Sequence, residues 1–204
     1  MTDRAPATNW FDRGGRAYAT FRPDYPAAIS TFLAGIEPDT DVAVDVGCGS
    51  GQLTRKLADH FRKVIGVDPS AEQLAHAVRD ERTEYLCAPA ESLPLADGSA
   101  SLFAAAQAAH WFDLPKFYAE VRRVGRRGSV VALISYGVPR LADPALQDRF
   151  KHYYWHEVGP YWPAERRLVD SGYADIDFPF DTIETPPLSI DRRPCRNEIG
   201  RAHV

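Results

Sequence analysis

The chain has 204 residues, enough for one well-buried α/β domain and too few for two ordinary ones. Its 45% hydrophobic and 25% charged residues are globular proportions, and a net charge of −4 gives no overall pull toward nucleic acid or an anionic membrane. Cys48, Cys87 and Cys195 are odd in number and contain no C-x-x-C pair, which argues against a disulfide or zinc framework and for a reducing compartment. No apolar run approaches membrane-spanning length and no signal-peptide pattern opens the chain, so the expected location is the cytoplasm.

Residues 1–8 are polar and Ala-rich and are expected to be disordered. Asn9 to Pro26 then interleaves aromatics with Arg13, Arg16 and Arg22, which reads as a lid over a ligand crevice, with Tyr18, Phe21 and Arg22 facing the ligand, in preference to a segment that only packs its aromatics onto the domain edge. A helix is predicted from Pro26 or Ala27 to Leu33, stopped near Gly35. The stretch that organises the chain follows. Val42 to Val46 is a buried strand that breaks at Gly47, and Gly47, Gly49 and Gly51 form a turn into a helix predicted from Gly51 to His60. Such a turn brings backbone against a ligand, and the first N–H groups of the helix aim at the same space. Asp45 stands just ahead of it with a carboxylate for a ligand amine or hydroxyl.

Lys63 to Asp68 is the second strand, and its terminal acid lies seventeen positions past Gly51. In a doubly wound sheet the ends of these two strands are neighbours, so Asp68, followed by Pro69, is placed to accept from a ribose diol. The pairing indicates a nucleoside cofactor. A dinucleotide fingerprint is G-x-G-x-x-G, whereas this turn reads D-x-G-x-G-x-G. An acid there repels a pyrophosphate and suits the ammonium of a methionine moiety. Asp45–Gly51 followed by Val64–Asp68 resembles the first two motifs of class I S-adenosylmethionine (SAM) dependent methyltransferases.

Ser70 caps a helix predicted to reach Arg79, and a short third strand runs from Thr83 to Cys87. Ala88 to Leu95 is similar to the third motif of that family, whose Ala-Glu pair lines the adenine pocket. The resemblance therefore implies Ala90 and Glu91 as adenine contacts, with Pro89 where relatives often carry a polar residue. The fourth strand, Ser101 to Ala106, leads into Gln107-Ala108-Ala109-His110-Trp111-Phe112-Asp113. This resembles the AQAxHWFD signature of the trans-aconitate methyltransferase-like branch (type 11 domain). Tyr18 to Pro26 is similar to the YAxFRPxYP opening of the same branch, in which the Tyr and Arg approach the methionine carboxylate. Gln107 and His110 would then border the sulfonium, with Trp111 beside the acceptor.

Pro115 sits in the first turn of a helix from Leu114 to Val124, and the basic run that follows, Arg122 to Arg127, reads as a solvated helix end. Ser129 to Ile134 is a continuous apolar run expected to be a core parallel strand. Beyond Tyr136 the alternation lapses: a helix from Asp143 to Glu157, a short helix from Ala164 to Ser171 and a strand from Ile176 to Phe180 are predicted. The family resemblance implies an aromatic substrate cap here, with Tyr154, Trp155 and Tyr161 toward the acceptor. His152, His156 and Glu157 mimic a metal pair but lack a third ligand cluster, so no metal is expected.

The expected architecture is a Rossmann-like, doubly wound, mainly parallel sheet with helices on both faces. Residues 1–135 form the lid and cofactor core, and 136–193 the cap. Residues 198–204 look like the translation of a common sequencing adaptor, so 194–204 are expected to be an artefactual tail and the final antiparallel strand pair of the family to be missing. The function implied is methyl transfer from SAM to a small molecule by in-line displacement, with neither nucleic acid nor membrane as partner. His110 is the candidate general base for an acceptor that must lose a proton, and a structural role for it, hydrogen-bonded under the lid, is the equal alternative. A carboxylate acceptor needs none, and Arg22 or Arg140 would then steer it. The alternatives are a non-catalytic or incompletely folded SAM-binding fragment, and a nicotinamide oxidoreductase. Asp45, the glycine spacing and the lack of a Tyr-x-x-x-Lys dyad argue against the oxidoreductase.

Overall fold

Side chains alternate across a pleated strand, so each strand of a two-faced sheet must supply apolar groups in both directions. The computed structural model, which describes residues 24–37 and 39–190, shows how these strands do so. They are β1 (Val42–Val46), β2 (Lys63–Asp68), β3 (Thr83–Cys87), β4 (Ala100–Ala106) and β5 (Gly125–Ile134). They form one sheet in the order β3-β2-β1-β4-β5, all parallel. Ala43, Val64, Leu102 and Ala104 meet Ile29 and Leu33 of α1 (Ala27–Ile36) and Leu53 and Leu57 of α2 (Gln52–Ala58). Their strand neighbours Val44, Ile65 and Phe103 turn the other way and cluster with Phe117, Val121 and Val124 of α4 (Leu114–Val124). Full burial of a Phe or Leu contributes about 1.5–3 kcal/mol, so these two layers dominate the stability of the sheet. The doubly wound α/β architecture is as expected from the sequence.

The order reverses between β1 and β4, and a crevice opens there beyond the carboxyl ends of the strands. No described helix is long and apolar enough to cross a membrane.

Several elements depart from the pattern read in the sequence. The helix expected to reach His60 ends at Ala58, and α3 is only Ala71–Ala75. The chain leaves α3 early because Tyr85 intercepts it: its hydroxyl donates to the Val78 carbonyl at 3.1 Å and its ring lies under the Arg79 guanidinium. β5 starts at Gly125, with a register irregularity before Val130, and its residues are half-buried or exposed because it is the edge of the described sheet, not a core strand.

Ile176 to Phe180 is not a strand. Phe178 and Phe180 pack edge-on against Tyr118 of α4, with ring centroids 6.2 and 5.4 Å away, and Arg122 lies over the Phe180 ring. Aromatic docking on a helix has overridden a β-like pattern. The long helix expected after Asp143 is divided into α5 (Pro144–His152), capped by Asp143 on the Leu146 amide, and a π-helical turn, Tyr153–Val158. α6 is Arg166–Asp170.

The basic run is not a solvated helix end either. Arg123 turns back over residues 93–97, the part of the β3–β4 connection that has no helix of its own. It donates to the carbonyls of Leu93 and Leu95 and to Asp97, each at 2.8 Å, and pairs with Glu120 at 2.6 Å. Glu120 in turn accepts from the Leu93 amide at 2.7 Å. Arg126 bridges Asp39 and Asp41, tying the start of β5 to the entry of β1.

Candidate active site

The loop after β1 is tied to β2 before it turns: the amides of Gly47 and Cys48 both donate to the Val67 carbonyl, at 2.7 and 3.1 Å. Gly47, Gly49 and Gly51 all have left-handed φ, at +72, +55 and +81 degrees. Two of the three are glycine for internal reasons. A Cβ on Gly47 would run into the Ala108 methyl of the loop after β4, and one on Gly51 would run into the Tyr85 ring. Gly49 is different: the nearest atom to such a Cβ is Gln73 Oε1 at 3.8 Å, so this is the open point of the turn.

One acid is bonded to that point and the other lies on a pocket at the start of the turn. Asp68 accepts from the Gly49 amide at 2.8 Å through one oxygen and from the Ser70 amide at 2.8 Å through the other, which fixes the orientation of its carboxylate at the end of β2. Asp45 is 1% exposed and accepts from the Thr54 hydroxyl at 2.6 Å. Asp45, Gly47, Cys48, Gln52 and Tyr25 line a small pocket between β1 and α2. Burial, reinforced by Asp45 and Asp68, pushes the Cys48 thiol far above its usual range, so it supplies no thiolate.

At the end of β4, Gln107 adopts a left-handed φ of +54 degrees, unusual for a residue with a side chain. Its amide donates to the Tyr136 carbonyl at 2.7 Å, which closes the gap between β4 and the chain leaving β5. His110 and Trp111 follow on a 3-10 turn, Ala109–Trp111, whose Ala109 packs with Val169 of α6 and Tyr173 beneath the cap. Nδ1 of His110 lies 2.9 Å from the Tyr173 hydroxyl.

The structure thus gathers Asp45, the three glycines, Asp68, Gln107 and His110 along the carboxyl edge of the sheet. Pro69 is exposed beside Asp68, its carbonyl 3.5 Å from the Cys87 sulfur. The remaining sequence-predicted residues differ in their settings. Ala90 is buried in the core under α4, and Glu91 accepts from the Asp113 amide at 2.7 Å, bracing the start of α4. Tyr154, expected to face an acceptor, is buried within the cap, bonded to Asp170 at 2.8 Å and Arg166 at 2.9 Å. Trp111, Trp155 and Tyr161 are exposed, Tyr161 at 85%. Tyr18, Phe21, Arg22 and the tail from residue 194 lie outside the described residues.

Three residues escaped the sequence reading. Thr54 was detectable as a polar position on the inward face of its helix. Tyr85 looks like any strand aromatic, and Tyr173 follows Gly172 in a stretch with no motif, so neither carries a local signal.

A family profile described as a methyltransferase domain matches residues 44–133. A Dictyostelium discoideum protein described as a methyltransferase is 34% identical over 98% of this chain and 78% of its own length. A malonyl-[acyl-carrier protein] O-methyltransferase of Marinomonas is 32% identical over 89% of this chain and 74% of its own length. Other curated relatives are longer than the match: the chain spans about half the length of three mycobacterial methyltransferases. Among solved structures, a protein assigned as a type II methyltransferase of Anaeromyxobacter dehalogenans shares 44% identity with a TM-score of 0.76, over 82% of this chain and 71% of that one.

Proposed function

The chain belongs to the class I SAM-dependent methyltransferases, and from that premise we propose that it transfers a methyl group from SAM to a carboxylate oxygen of a small or carrier-bound acid by in-line displacement. The observation that carries the reading is the glycine turn, open at Gly49, with Asp68 bonded to the Gly49 and Ser70 amides and Asp45, anchored by Thr54, on the pocket where the turn begins. The residues suit the cofactor. Asp68, with Pro69 beside it, accepts from the ribose hydroxyls, and Gly47, Gly49 and Gly51 admit the backbone to van der Waals distance. Asp45 supplies negative potential for the amino group through its buried carboxylate. The resemblance assigns Tyr18 and Arg22, outside the described residues, to the methionine carboxylate, which a guanidinium can hold in bidentate fashion, and Phe21 to the apolar side of the ligand. Ala90 and Glu91 shape the adenine side from behind, through packing and through the brace to Asp113.

When bound, SAM supplies an electrophilic methyl on a sulfonium. What the chain contributes is alignment and exclusion of water. Gln107, held by its bond to the Tyr136 carbonyl, fixes the mouth of the crevice at the end of β4. His110 and Trp111 border the acceptor, and Trp155 and Tyr161 offer the exposed aromatic surface of the cap to it. The carboxylate acceptor is supported by the name of the Marinomonas relative, an O-methyltransferase of a malonyl group. A malonyl half-thioester carries an ionised carboxylate, which attacks without a base.

The test is transfer of labelled methyl from SAM to a malonyl half-thioester. The expected product is a methyl ester, so the label is released as methanol by mild base. Label that resists base, or no transfer by protein that still binds S-adenosylhomocysteine, would overturn the carboxylate assignment.

A further inference from the structure

Between α6 and the stretch that docks on α4, the chain makes an unusual turn. Gly172 and Tyr173 are consecutive left-handed residues, with φ of +65 and +66 degrees. Glycine adopts this conformation readily, whereas a tyrosine is strained in it. Strain of this kind persists only where surrounding structure holds it, and such positions cluster at functional sites. Here the turn drives the Tyr173 ring inward, to 8% exposure, against Ala105, Ala109 and Val169. Its hydroxyl ends 2.9 Å from His110 Nδ1, with the rings 6.0 Å apart between centroids. The Ser135 hydroxyl reaches the Val169 carbonyl at 3.5 Å, and Gly172 closes a turn on the same carbonyl at 2.9 Å. The far end of the pair is therefore anchored to the chain leaving β5.

We propose that Tyr173 is a positioning residue for His110: its hydroxyl donates to Nδ1, so that the imidazole presents Nε2–H as a hydrogen-bond donor to the methyl acceptor. This rests on the methyl-transfer reading above and assigns His110 a different part from that of a base. The direction of the bond follows from acidity. A phenol, with an ordinary pKa of about 10, is a much stronger acid than the N–H of a neutral imidazole and is the natural donor of the two. A neutral imidazole carries one hydrogen, and with Nδ1 accepting, that hydrogen is on Nε2. Nε2 then has no lone pair with which to remove a proton. A donor at this point orients an oxygen that is already ionised, which is what a carboxylate acceptor requires. The sequence left a base and a structural residue both open for His110; the partner on its other nitrogen decides between them.

The test is the nitrogen-15 spectrum of the histidine rings of the full chain, recorded above the imidazole titration range, with His110→Gln to assign His110. In the unsubstituted protein the account expects a pyridine-type Nδ1 shifted by an accepted hydrogen bond and a pyrrole-type Nε2. Tyr173→Phe keeps the buried ring and removes the hydroxyl. The expected result is an Nδ1 signal that moves toward the unbonded position, with some Nδ1–H tautomer appearing. A pyrrole-type Nδ1 in the unsubstituted protein would overturn the proposal by itself, whatever the variant does. So would a His110 spectrum indifferent to Tyr173→Phe. Titration of the same samples with S-adenosylhomocysteine separates the two levels: intact binding with the wrong tautomer sinks only this inference, whereas no binding by the folded, unsubstituted protein sinks the methyl-transfer reading.

Discussion

The glycine crevice and the cap are built in opposite ways. Around the crevice nearly every group is committed to the interior. Asp45 and Thr54 are buried together, Gly47 and Gly51 are pressed by Ala108 and Tyr85, and β4 is buried along its whole length. In the cap, α5 has no buried residue, and Tyr153, Trp155, Tyr161 and Trp162 are exposed. The cap is held by a few specific ties: Tyr154 with Asp170 and Arg166, Tyr173 with His110, and Phe178 and Phe180 on Tyr118. A crevice that must fit one cofactor is fixed by packing. On the reading proposed above, a surface that meets an acceptor is attached at a few points and otherwise left open.

Substitutions in the crevice should therefore be costly for folding, and those in the cap should be nearly silent. The largest effect is expected for Gly47→Ala, which combines a collision with Ala108 and a left-handed φ. Overpacking alone costs about 1–3 kcal/mol and the backbone strain adds to it. Urea denaturation should show the midpoint falling sharply, and a midpoint within error of the unsubstituted protein would show that the crevice is not held from inside.

Next is Thr54→Val, which keeps shape but removes the hydroxyl that Asp45 accepts from. Losing a buried hydrogen bond to a charged group costs about 1.5–3 kcal/mol, and affinity for S-adenosylhomocysteine should fall with it. Unchanged stability and affinity would show that Asp45 does not depend on Thr54.

A third effect is pH-dependent. Arg123, chiefly through its hydrogen bonds, together with the Leu93 amide, holds the Glu120 carboxyl below the usual range despite partial burial. A depressed carboxyl contributes stability that is present above its unfolded pKa, about 4.3, and lost as pH falls through the lower folded value. Glu120→Gln should flatten the acid limb of a stability profile. Glu37 works the other way: burial raises its pKa, so its contribution is full below the unfolded value and is lost as pH rises through the folded one. Glu37→Gln should remove that second slope, and thermal unfolding across the acid range reads both. A profile indifferent to both changes would contradict these roles.

The smallest effect is Tyr161→Ala. At 85% exposure it should change stability by no more than about 0.5 kcal/mol. If the cap meets the acceptor, KM for the malonyl half-thioester rises while S-adenosylhomocysteine binding stays constant; an unchanged KM removes Tyr161 from the site.

The same contrast explains what could be read from the sequence. The strand–glycine–helix stretch and the second acid were legible because local chemistry dictates them: three left-handed positions need glycine, and parallel core strands need apolar runs. The early end of α3 was not legible, because a tyrosine on β3 takes the Val78 carbonyl. Nor was the fate of Phe178 and Phe180, whose β-like pattern yields to an aromatic surface on α4 that is distant in sequence. Arg123 looked like a helix-end cation and instead fastens a loop that has no helix of its own. Tyr154 had the right residue type for a site, but its bond to Asp170 makes it a brace within the cap. In each case a partner on another element decided the matter.

The measurement that bears most directly on the central claim is calorimetric titration of the chain with S-adenosylhomocysteine, alongside Asp68→Asn. The account predicts saturable one-to-one binding. In the variant it predicts affinity at least about tenfold weaker, the loss of a charge-assisted hydrogen bond, with unfolding still cooperative. No heat from a cooperatively folded chain, or undiminished affinity in the variant, would contradict it.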